Sequence, residues 1–383
     1  FKFKILNFKF SSVVVNMVSE IKAANFSIFS RDLKDILQSL VASRYKLILY
    51  IPRRGHANFL LCEHCQQVVK CPNCSASLVL HNLEPSTYHP SPALICHHCN
   101  YSQPWPKTCQ SCGAHKFKSY GIGIEKVAAE LKKFYQYANL PLPKILRLDS
   151  DSVKNESEEK KIAEDFRQST SVILVATQML FSQAPLVLNT PEGPVLSTPE
   201  GLLKADICGI ISADTLINIP DFRAEEALFR QLYTLGTMAK KFIIQTRNPD
   251  DVAIQLAAQG DIKKFFTDEL ENRRAFRYPP FSQLVKLTYR HHNNHRAQKE
   301  AMILTEKLNH SLRYEIRDTK YEVVGPSPAF VSQQRGQYIW NIVLKIEKPA
   351  DAKAMTDAVK KRNELLRLVP SGWIVDVDPR NII

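Results

Sequence analysis

Apolar positions along the chain recur with two periods, and these periods predict both helices and strands. Ser30 can cap a helix whose apolar positions form a single stripe. Those positions are Leu33, Ile36, Leu37, Leu40 and Val41. The run KLILYIP, 46–52, follows and is typical of a buried strand. The pattern therefore predicts a helix that leads directly into a core strand.

The same alternation resumes after a cysteine-rich segment. The patterns predict a helix over EKVAAELKKFYQYA, a strand over KILRLDSD, a helix over SEEKKIAEDFRQ and a strand over SVILVATQM. A segment that repeats TPEG, at Thr190 and Thr198, then predicts a surface loop or a short hairpin. The strand DICGIISAD, the helix FRAEEALFRQLYTLGTMAK and the strand KFIIQT complete the series. Strands and helices at this spacing predict a parallel sheet covered by helices.

The remainder of the chain has a different pattern. Helical sequence over 250–274 leads through YPPF, 278–281, into a region of mixed strand and helix patterning that ends at VDVDP. We therefore expect an α/β chain in four segments. Residues 13–60 and 117–248 would form one lobe, 61–116 a cysteine-rich insertion in it, and 249–383 a small α+β domain.

Charge and hydropathy narrow the class of protein. Lys and Arg outnumber Asp and Glu by 51 to 38, a formal net charge of +13, which favours a polyanionic partner such as nucleic acid. No window has the 18 or more apolar residues of a transmembrane helix, and FKFKILNFKF at the start lacks the apolar core of a secretory signal. We expect a cytoplasmic protein without a membrane partner. Because the sequence does not begin with Met, we also expect upstream sequence to be missing.

Eight of the nine cysteines occur in CxxC pairs. Two thiolates on one tight turn can reach the same metal ion, and eight thiolates complete two tetrahedral sites of the closed, structural kind. Zinc is expected, with iron as the alternative because tetrahedral sulfur suits both metals. Four disulfides are disfavoured without a secretory signal. The pairs can combine in three ways, a nested one among them, and spacing does not choose. The ninth, Cys208, lies in an apolar run and is predicted to be a small buried hydrophobe.

Several motifs occur in an order that matches a known family. They are RRGHANFLLCEHC, CPNC, CHHC, CQSCG, GIGIEKVAAEL, ATQML, PDFRAEEALFRQLY, IIQT, YPPF, VVGPSPAF and VDVDP. From about Val13 onward the chain resembles the primosomal protein N′ (PriA) family of bacterial replication-restart helicases. The resemblance implies that the lobe is the second RecA-like helicase lobe, with the cysteine module inserted and the α+β domain following.

The resemblance also implies ligands and partners. It implies two nested zinc sites, one formed by Cys62, Cys65, Cys109 and Cys112, the other by Cys71, Cys74, Cys96 and Cys99. It implies binding of branched or single-stranded DNA, contacts with single-strand-binding protein and other primosome proteins, and loading of the replicative helicase. ATP is a cofactor of the full-length family.

The helicase motor is incomplete in this sequence. It contains no GxxxxGK[ST] loop, and the family's nucleotide-binding first lobe lies upstream of the matching region. Where the family has a GRAGR segment, this chain has TLGTMAKK, and Phe181, Ser182 and Gln183 replace a KGH motif. We therefore predict a restart scaffold whose motor is inactive in this chain, and we leave open whether it is an enzyme. The alternatives are an ATP-dependent 3′-5′ DNA helicase whose first lobe is missing from this sequence, and an electron carrier with thiolate-bound iron.

Candidate DNA contacts combine basic and polar side chains for phosphates with aromatic rings for bases. The candidates are Arg53, Arg54, Thr177, Gln178, Arg223, Arg335, Tyr338 and Trp340. For Thr177 and Gln178 the expectation rests on the family alone. Most have a structural alternative. Arg53 and Arg54 can cap a sheet edge, Thr177 and Gln178 are ordinary residues at a strand end, Arg223 can pair with nearby glutamates, and the two aromatic residues can pack on a core face. Ile339 replaces a usual basic residue of the family.

Overall fold

The computed structural model describes residues 10–52, 59–65, 67–73, 77–81, 93–96, 101–120, 123–150, 152–181, 188–190, 193–195, 203–217, 221–312, 321–348 and 352–382. The chain divides into two compact units. The first unit comprises Phe1–Ala57, Gly121–Ile217 and Glu225–Phe266, and the second comprises Asn58–Tyr120, Asn218–Ala224 and Thr267–Ile383. The cysteine segment and the C-terminal region thus both belong to the second unit. The four domain boundaries drawn from the sequence stay predictions.

The elements follow one another along the chain. The chain opens with β1 (Ser11–Asn16), α1 (Met17–Lys22), α2 (Arg31–Ser43) and β2 (Lys46–Tyr50). The cysteine segment contributes β3 (Phe59–Cys62), β4 (Val79–His81), β5 (Ala93–Ile95), β6 (Ser102–Pro104) and β7 (Phe117–Tyr120). Then come α3 (Ile124–Tyr137), β8 (Lys144–Leu148), α4 (Glu156–Gln168), β9 (Val172–Ala176), β10 (Leu188–Thr190) and β11 (Gly193–Val195).

The second half continues with β12 (Ala205–Ile210), α5 (Asp214–Ile217), α6 (Ala224–Thr237), β13 (Ala239–Thr246), α7 (Val252–Gln259) and α8 (Ile262–Ala275). The C-terminal region contains β14 (Ser282–His291), α9 (Asn294–His310), β15 (Tyr321–Gln334), β16 (Gln337–Glu347), α10 (Ala352–Leu366) and β17 (Ile374–Val377). The single helical region predicted over 250–274 is two helices, because Gly260 adopts a left-handed φ of 72° that ends α7.

The first unit is built on a parallel sheet, as the sequence predicted. Its six strands have the order β1-β13-β12-β2-β9-β8, and every neighbouring pair is parallel. The edge strand β1 was not predicted, although it pairs with β13 over its whole length. Thr190 and Gly193, the first and last residues of the first TPEG segment, pair in the antiparallel β10–β11 hairpin, which confirms the hairpin expectation.

The core of the first unit lies between this sheet and two helices. The predicted stripe of α2 is buried, and Ser30 caps the helix by accepting a hydrogen bond from Leu33 N at 3.2 Å. Leu131 and Tyr135 of α3 join the same apolar cluster. In β2 and β9 every second residue enters this cluster, including Leu47, Leu49, Ile173 and Val175. The period-two geometry of strands places these side chains on one face of the sheet.

The cysteine segment forms a small antiparallel sheet that the sequence did not predict. Its strands have the order β6-β5-β4-β3-β7. The first and last strands of this segment, β3 and β7, pair directly from Phe59 opposite Tyr120 to Cys62 opposite Phe117. Among the described residues, its apolar cluster has Leu60, Leu78 and Leu94 with two of the cysteines, Cys71 and Cys96.

The C-terminal region is an α+β fold, as predicted. Its antiparallel sheet has the order β15-β16-β14-β17. The apolar cluster beneath it combines Leu287 and Ile342 of the sheet with Leu304 and Leu308 of α9. Within the described part of the chain, no helix combines the length and apolarity that a membrane crossing requires.

Candidate metal centre and nucleic-acid contacts

Four cysteine thiols converge in the second unit. The sulfur atoms of Cys62, Cys65, Cys109 and Cys112 all lie within 4.8 Å of one another. Cys62 is the last residue of β3, and the turn after it brings Cys65 to the same place. Cys109 and Cys112 come from a second turn, in which Gly113 N donates to Cys109 O at 2.8 Å. The pairing of β3 with β7 holds the two turns side by side.

The spacing of these sulfur atoms fits a tetrahedral metal ion. Zinc–sulfur bonds of about 2.3 Å in a tetrahedron require sulfur atoms about 3.8 Å apart. The distance from Cys62 Sγ to Cys112 Sγ is 3.7 Å, and that from Cys65 Sγ to Cys109 Sγ is 3.5 Å. The cluster is therefore able to bind a metal ion, with all four ligands supplied by the protein and no position left open for a substrate.

Ionisation of the thiols is uneven within this cluster. Burial raises the pKa of Cys65 to about 12, and the neighbouring cysteine side chains add to the rise. Burial opposes ionisation of Cys109 too, but N–H groups of Ser111 and Cys112 and the thiols of Cys65 and Cys62 lower its pKa to about 7. Four thiolates at this spacing repel one another, so a divalent cation is needed to hold them all ionised.

Half of the second predicted metal set lies in the described residues. Cys71 and Cys96 are 2% and 0% exposed, respectively, and belong to one apolar cluster. Cys74 and Cys99 lie outside the described residues. The nested pairing thus has geometric support for the outer pairs, and the ligand set of the inner pairs stays a prediction.

Cys208 differs from the other cysteines in its surroundings. It lies in the middle of β12, completely buried, opposite Ile48 of β2 and Phe242 of β13. Burial raises the pKa of its thiol. The side chain is thus a small core hydrophobe, as the sequence predicted.

The guanidinium of Arg223 lies over a pair of stacked aromatic rings. The ring of Phe222 lies 5.0 Å from that of Tyr278, at an interplanar angle of 12°. The guanidinium of Arg223 lies 5.0 Å from the Phe222 ring centroid, and the Arg223 side chain is exposed. Beneath the stack, Lys345 Nζ lies 4.2 Å from the Tyr278 centroid. The PDFR and YPPF motifs therefore meet in one cluster, which orients an exposed cation.

The predicted aromatic pair of β16 packs on the core instead of standing at the surface. Trp340 is 1% exposed, and its Nε1 donates to Asn294 Oδ1 at 3.0 Å. Tyr338 is half-buried against the cluster of Trp340, Ala297 and Ala301. A base cannot stack on Trp340 in this fold, so the core-face alternative describes that residue. Arg335 is exposed in the turn between β15 and β16, and its contact with DNA stays a prediction.

The other candidates lie at strand ends. Thr177 and Gln178 follow β9 at the carboxyl edge of the parallel sheet, the edge at which α/β sheets bind ligands. Thr177 is buried, with its N–H donating to Leu148 O at 3.1 Å, whereas Gln178 is exposed. Only Gln178 of this pair is accessible to a ligand. Arg53 and Arg54 lie outside the described residues.

One group of exposed basic residues was missed by the sequence reasoning. The loop and helix start at 290–296, RHHNNHR, contacts the turn that contains Arg335. The sequence contains a run of arginine and histidine without an acidic residue at this place. That the run lies close to Arg335 follows only from the strand pairing.

The fold and the cysteine cluster define an α/β protein with a cysteine-rich region able to bind metal. Comparison with known proteins is consistent with this class. Residues 274–380 match the family described as "Primosomal protein N C-terminal domain", and residues 71–104 match the "PriA DNA helicase Cys-rich region (CRR) domain".

Individual relatives of this chain are named replication restart protein PriA. The chain is 28% identical over 349 residues to the replication restart protein PriA of Bacillus subtilis, covering 89% of this chain and 39% of the relative. Against PriA of Synechocystis sp. it is 29% identical over 371 residues, covering 95% and 40%. Against PriA of Borreliella burgdorferi it is 28% identical over 390 residues, covering 99% and 53%. The resemblance to the PriA family is confirmed, and the chain spans about half or less of the length of these relatives.

Proposed function

We propose that this chain provides the DNA-binding and assembly part of a PriA-type replication restart protein. It would bind forked or single-stranded DNA and help to load the replicative helicase. The observation that carries the proposal is the combination, in one chain, of a PriA-like C-terminal domain with a cysteine cluster whose sulfur spacing suits a metal ion. The net charge of +13 is in keeping with a polyanionic ligand.

The metal would have a structural role. We propose two Zn²⁺ ions, one bound by the outer cysteine pairs and one by Cys71, Cys74, Cys96 and Cys99. A zinc ion with four protein ligands stabilises its fold and supplies no open coordination position for catalysis. The residues around the cluster would then hold a rigid surface for a partner.

The partners follow from the family and not from the geometry. Single-strand-binding protein, other primosome proteins and the replicative helicase are the proposed protein partners, in the cytoplasm. The replication-restart names of the relatives support this part of the proposal.

The connection between α6 and β13 bears on ATP hydrolysis. In the structure only Met238 separates the end of α6 from the start of β13, at the place where the family has its GRAGR segment. This short connection supports the proposal that the chain alone does not hydrolyse ATP. The alternative is an ATP-dependent 3′-5′ helicase formed together with a nucleotide-binding first lobe. The greater length of the relatives supports this alternative.

Equilibrium binding to a fork tests the proposal. Purified chain would be titrated with a forked DNA and with a linear duplex of equal length, across a salt series. We expect tighter binding to the fork at physiological salt, with log affinity falling linearly against log salt. Equal and weak binding to both DNAs, lost at physiological salt, would contradict the restart role. DNA-stimulated ATP hydrolysis in the same preparation would contradict the inactive motor.

A further inference from the structure

One end of the C-terminal sheet gathers the basic segment 290–299 and the turn at 335–336. Strand β14 ends at His291, which pairs with Tyr338 near the start of β16. Strand β15 ends at Gln334, which pairs with Gln337. The loop after β14, the first turn of α9 and the β15–β16 turn therefore lie at the same end of the sheet.

The loop and the turn are in direct contact. His292 Nδ1 lies 3.2 Å from Gly336 O, and Gln337 Nε2 lies 3.4 Å from His292 Nε2. Arg335 and Gly336 have φ values of 51° and 74°, the left-handed conformation of a tight turn. These contacts fix the backbone that carries the Arg335 side chain beside the histidine loop.

This end of the sheet has an unusual charge composition. We define the basic end as Arg290, His291, His292, His295, Arg296, Lys299 and Arg335. All of these side chains are exposed except His291, which is half-buried. The sequences 289–299, 331–341 and 370–375, which the strand pairing brings to this end, contain no Asp or Glu. The first acidic residues beyond these segments are Glu300, one helical turn after Arg296 in α9, and Asp376, opposite Lys286 of β14, so the seven basic side chains outnumber the carboxylates at this end.

The opposite end of the same sheet differs. Exposed Glu322, Glu347 and Asp378 occur there, close to the start of β15, the end of β16 and the end of β17. Glu322 lies 3.8 Å from Lys345 Nζ, and Asp378 Oδ2 accepts from Gln283 Nε2 at 2.8 Å. Basic residues such as Lys348 and Arg380 thus occur at the same end of the sheet as these carboxylates. The sheet has one basic end and one mixed end.

We propose that the basic end binds the phosphodiester backbone of the nucleic acid, with Arg290, Arg296 and Arg335 as the main phosphate contacts. The proposal rests on the DNA-binding function proposed above and names its surface on this domain. Arginine presents a planar set of donors that suits phosphate oxygens, and the histidine rings add further N–H donors. A row of cations suits a nucleic-acid strand, which repeats a charge about every 3.4 Å.

A pair of charge-matched variants tests the surface. Arg296→Gln with Arg335→Gln removes two charges from the basic end, and Lys348→Gln with Arg380→Gln removes two exposed charges from the mixed end. Binding of each variant of this 383-residue chain to forked DNA would be measured across a salt series. For the basic-end variant we expect at least tenfold weaker binding at low salt and a slope of log affinity against log salt shallower by about 2. The control should keep the parental slope.

The possible outcomes separate this proposal from the function on which it rests. If the parental chain binds the fork and both variants match it, or both weaken equally, the basic end is not the phosphate surface although DNA binding stands. If the parental chain does not bind DNA, the proposed function itself fails. Arg296→Lys with Arg335→Lys should restore most of the slope, because it keeps the charges. Competition by polyglutamate as effective as that by DNA would overturn the nucleic-acid assignment in favour of an acidic protein.

Discussion

The parallel-sheet core of the first unit and the cysteine module of the second reach stability by different means. In the sheet, fully buried strand residues such as Leu47, Leu49 and Ile173 pack against two helices. In the described part of the module, five buried residues form the apolar cluster, and two of them are cysteines. A cluster of this size contributes little burial energy to set against the chain entropy of an ordered sheet. We therefore expect a bound metal to contribute to the stability of the module what burial contributes to the sheet.

Cysteine itself illustrates the difference. Cys62 and Cys208 are both completely buried in β-strands. Apolar strand neighbours surround Cys208, whereas Cys62 Sγ lies 3.7 Å from the sulfur of Cys112. Burial alone thus does not distinguish a core thiol from a thiol in a cluster that is able to bind metal. The distinction depends on partners that are distant in sequence.

The largest effect should come from breaking the metal cluster. We expect Cys109→Ser to lower the zinc content by one ion per chain and to expose the module to protease. Structural zinc contributes about 10–16 kcal/mol of binding free energy in small zinc domains, so its loss removes the main stabilisation of the module. Zinc content by atomic emission and limited proteolysis with mass mapping would measure both results.

Cys208→Ala is the matched control for that change. It removes a buried thiol from the first unit and should cost about 1 kcal/mol of unfolding free energy without changing the zinc content. If Cys208→Ala releases as much zinc as Cys109→Ser, the two cysteines do not have the separate roles assigned to them.

A smaller effect should follow from opening a cavity in the parallel-sheet core. Leu49 is completely buried in β2, and its Cδ2 lies beside the position that a Cβ would occupy on Gly209 of β12. We expect Leu49→Ala to lower the free energy of unfolding by about 2–5 kcal/mol, because the packed core closes only part of the cavity. Denaturant unfolding would measure the change. Zinc content should stay constant, and a parallel loss of zinc would contradict separate sources of stability.

The smallest effect concerns a buried carboxylate in the first unit. Glu20 Oε2 accepts from Asn25 Nδ2 at 2.6 Å and from Arg31 N at 2.9 Å. Burial by itself would raise the pKa of Glu20, but these hydrogen bonds and the charge of Arg31 hold the pKa below its ordinary value of 4.5. We expect Glu20→Gln to cost about 1–3 kcal/mol at pH 7.

The sign of this pKa shift gives a pH test. A carboxyl whose pKa is lower in the folded state stabilises the fold above its unfolded pKa, and the contribution is lost as pH falls through the folded value. The gap between wild type and Glu20→Gln in denaturant unfolding should therefore be full at pH 7 and narrow below about pH 4.5. A gap that stays constant down to pH 3.5 would show that the ionised form is not what stabilises the fold.

Local sequence predicted most elements of the first unit. Long apolar runs such as 46–52 and the capped stripe after Ser30 became β2 and α2, because period and capping are properties of neighbouring residues. The parallel sheet followed from the alternation of these elements. Strand β1 was missed because its short apolar run gains its place only by pairing with β13, more than 200 residues away.

The sites were harder to predict than the fold. CxxC spacing indicated metal ligands, yet it left three pairings open until β3 and β7 brought the outer pairs together. The aromatic pair of β16 followed the period of a strand, but period alone does not say which face is covered. The helix α9 covers the face of Trp340. Long-range packing, which a single sequence does not encode in any one motif, decided both cases.

The antiparallel pairing of β3 with β7 determines how far apart the two ends of the module lie. The two strands that begin and end the module run side by side, about 5 Å apart, so the module's ends are as close as those of a hairpin turn. Because the two ends of such a cassette are adjacent, the host fold has to close only a short gap, whatever the length of the inserted sequence. The entropy cost of loop closure also grows only slowly with loop length. We therefore expect the strand register of the host sheet not to depend on the length or the sequence of such a cassette.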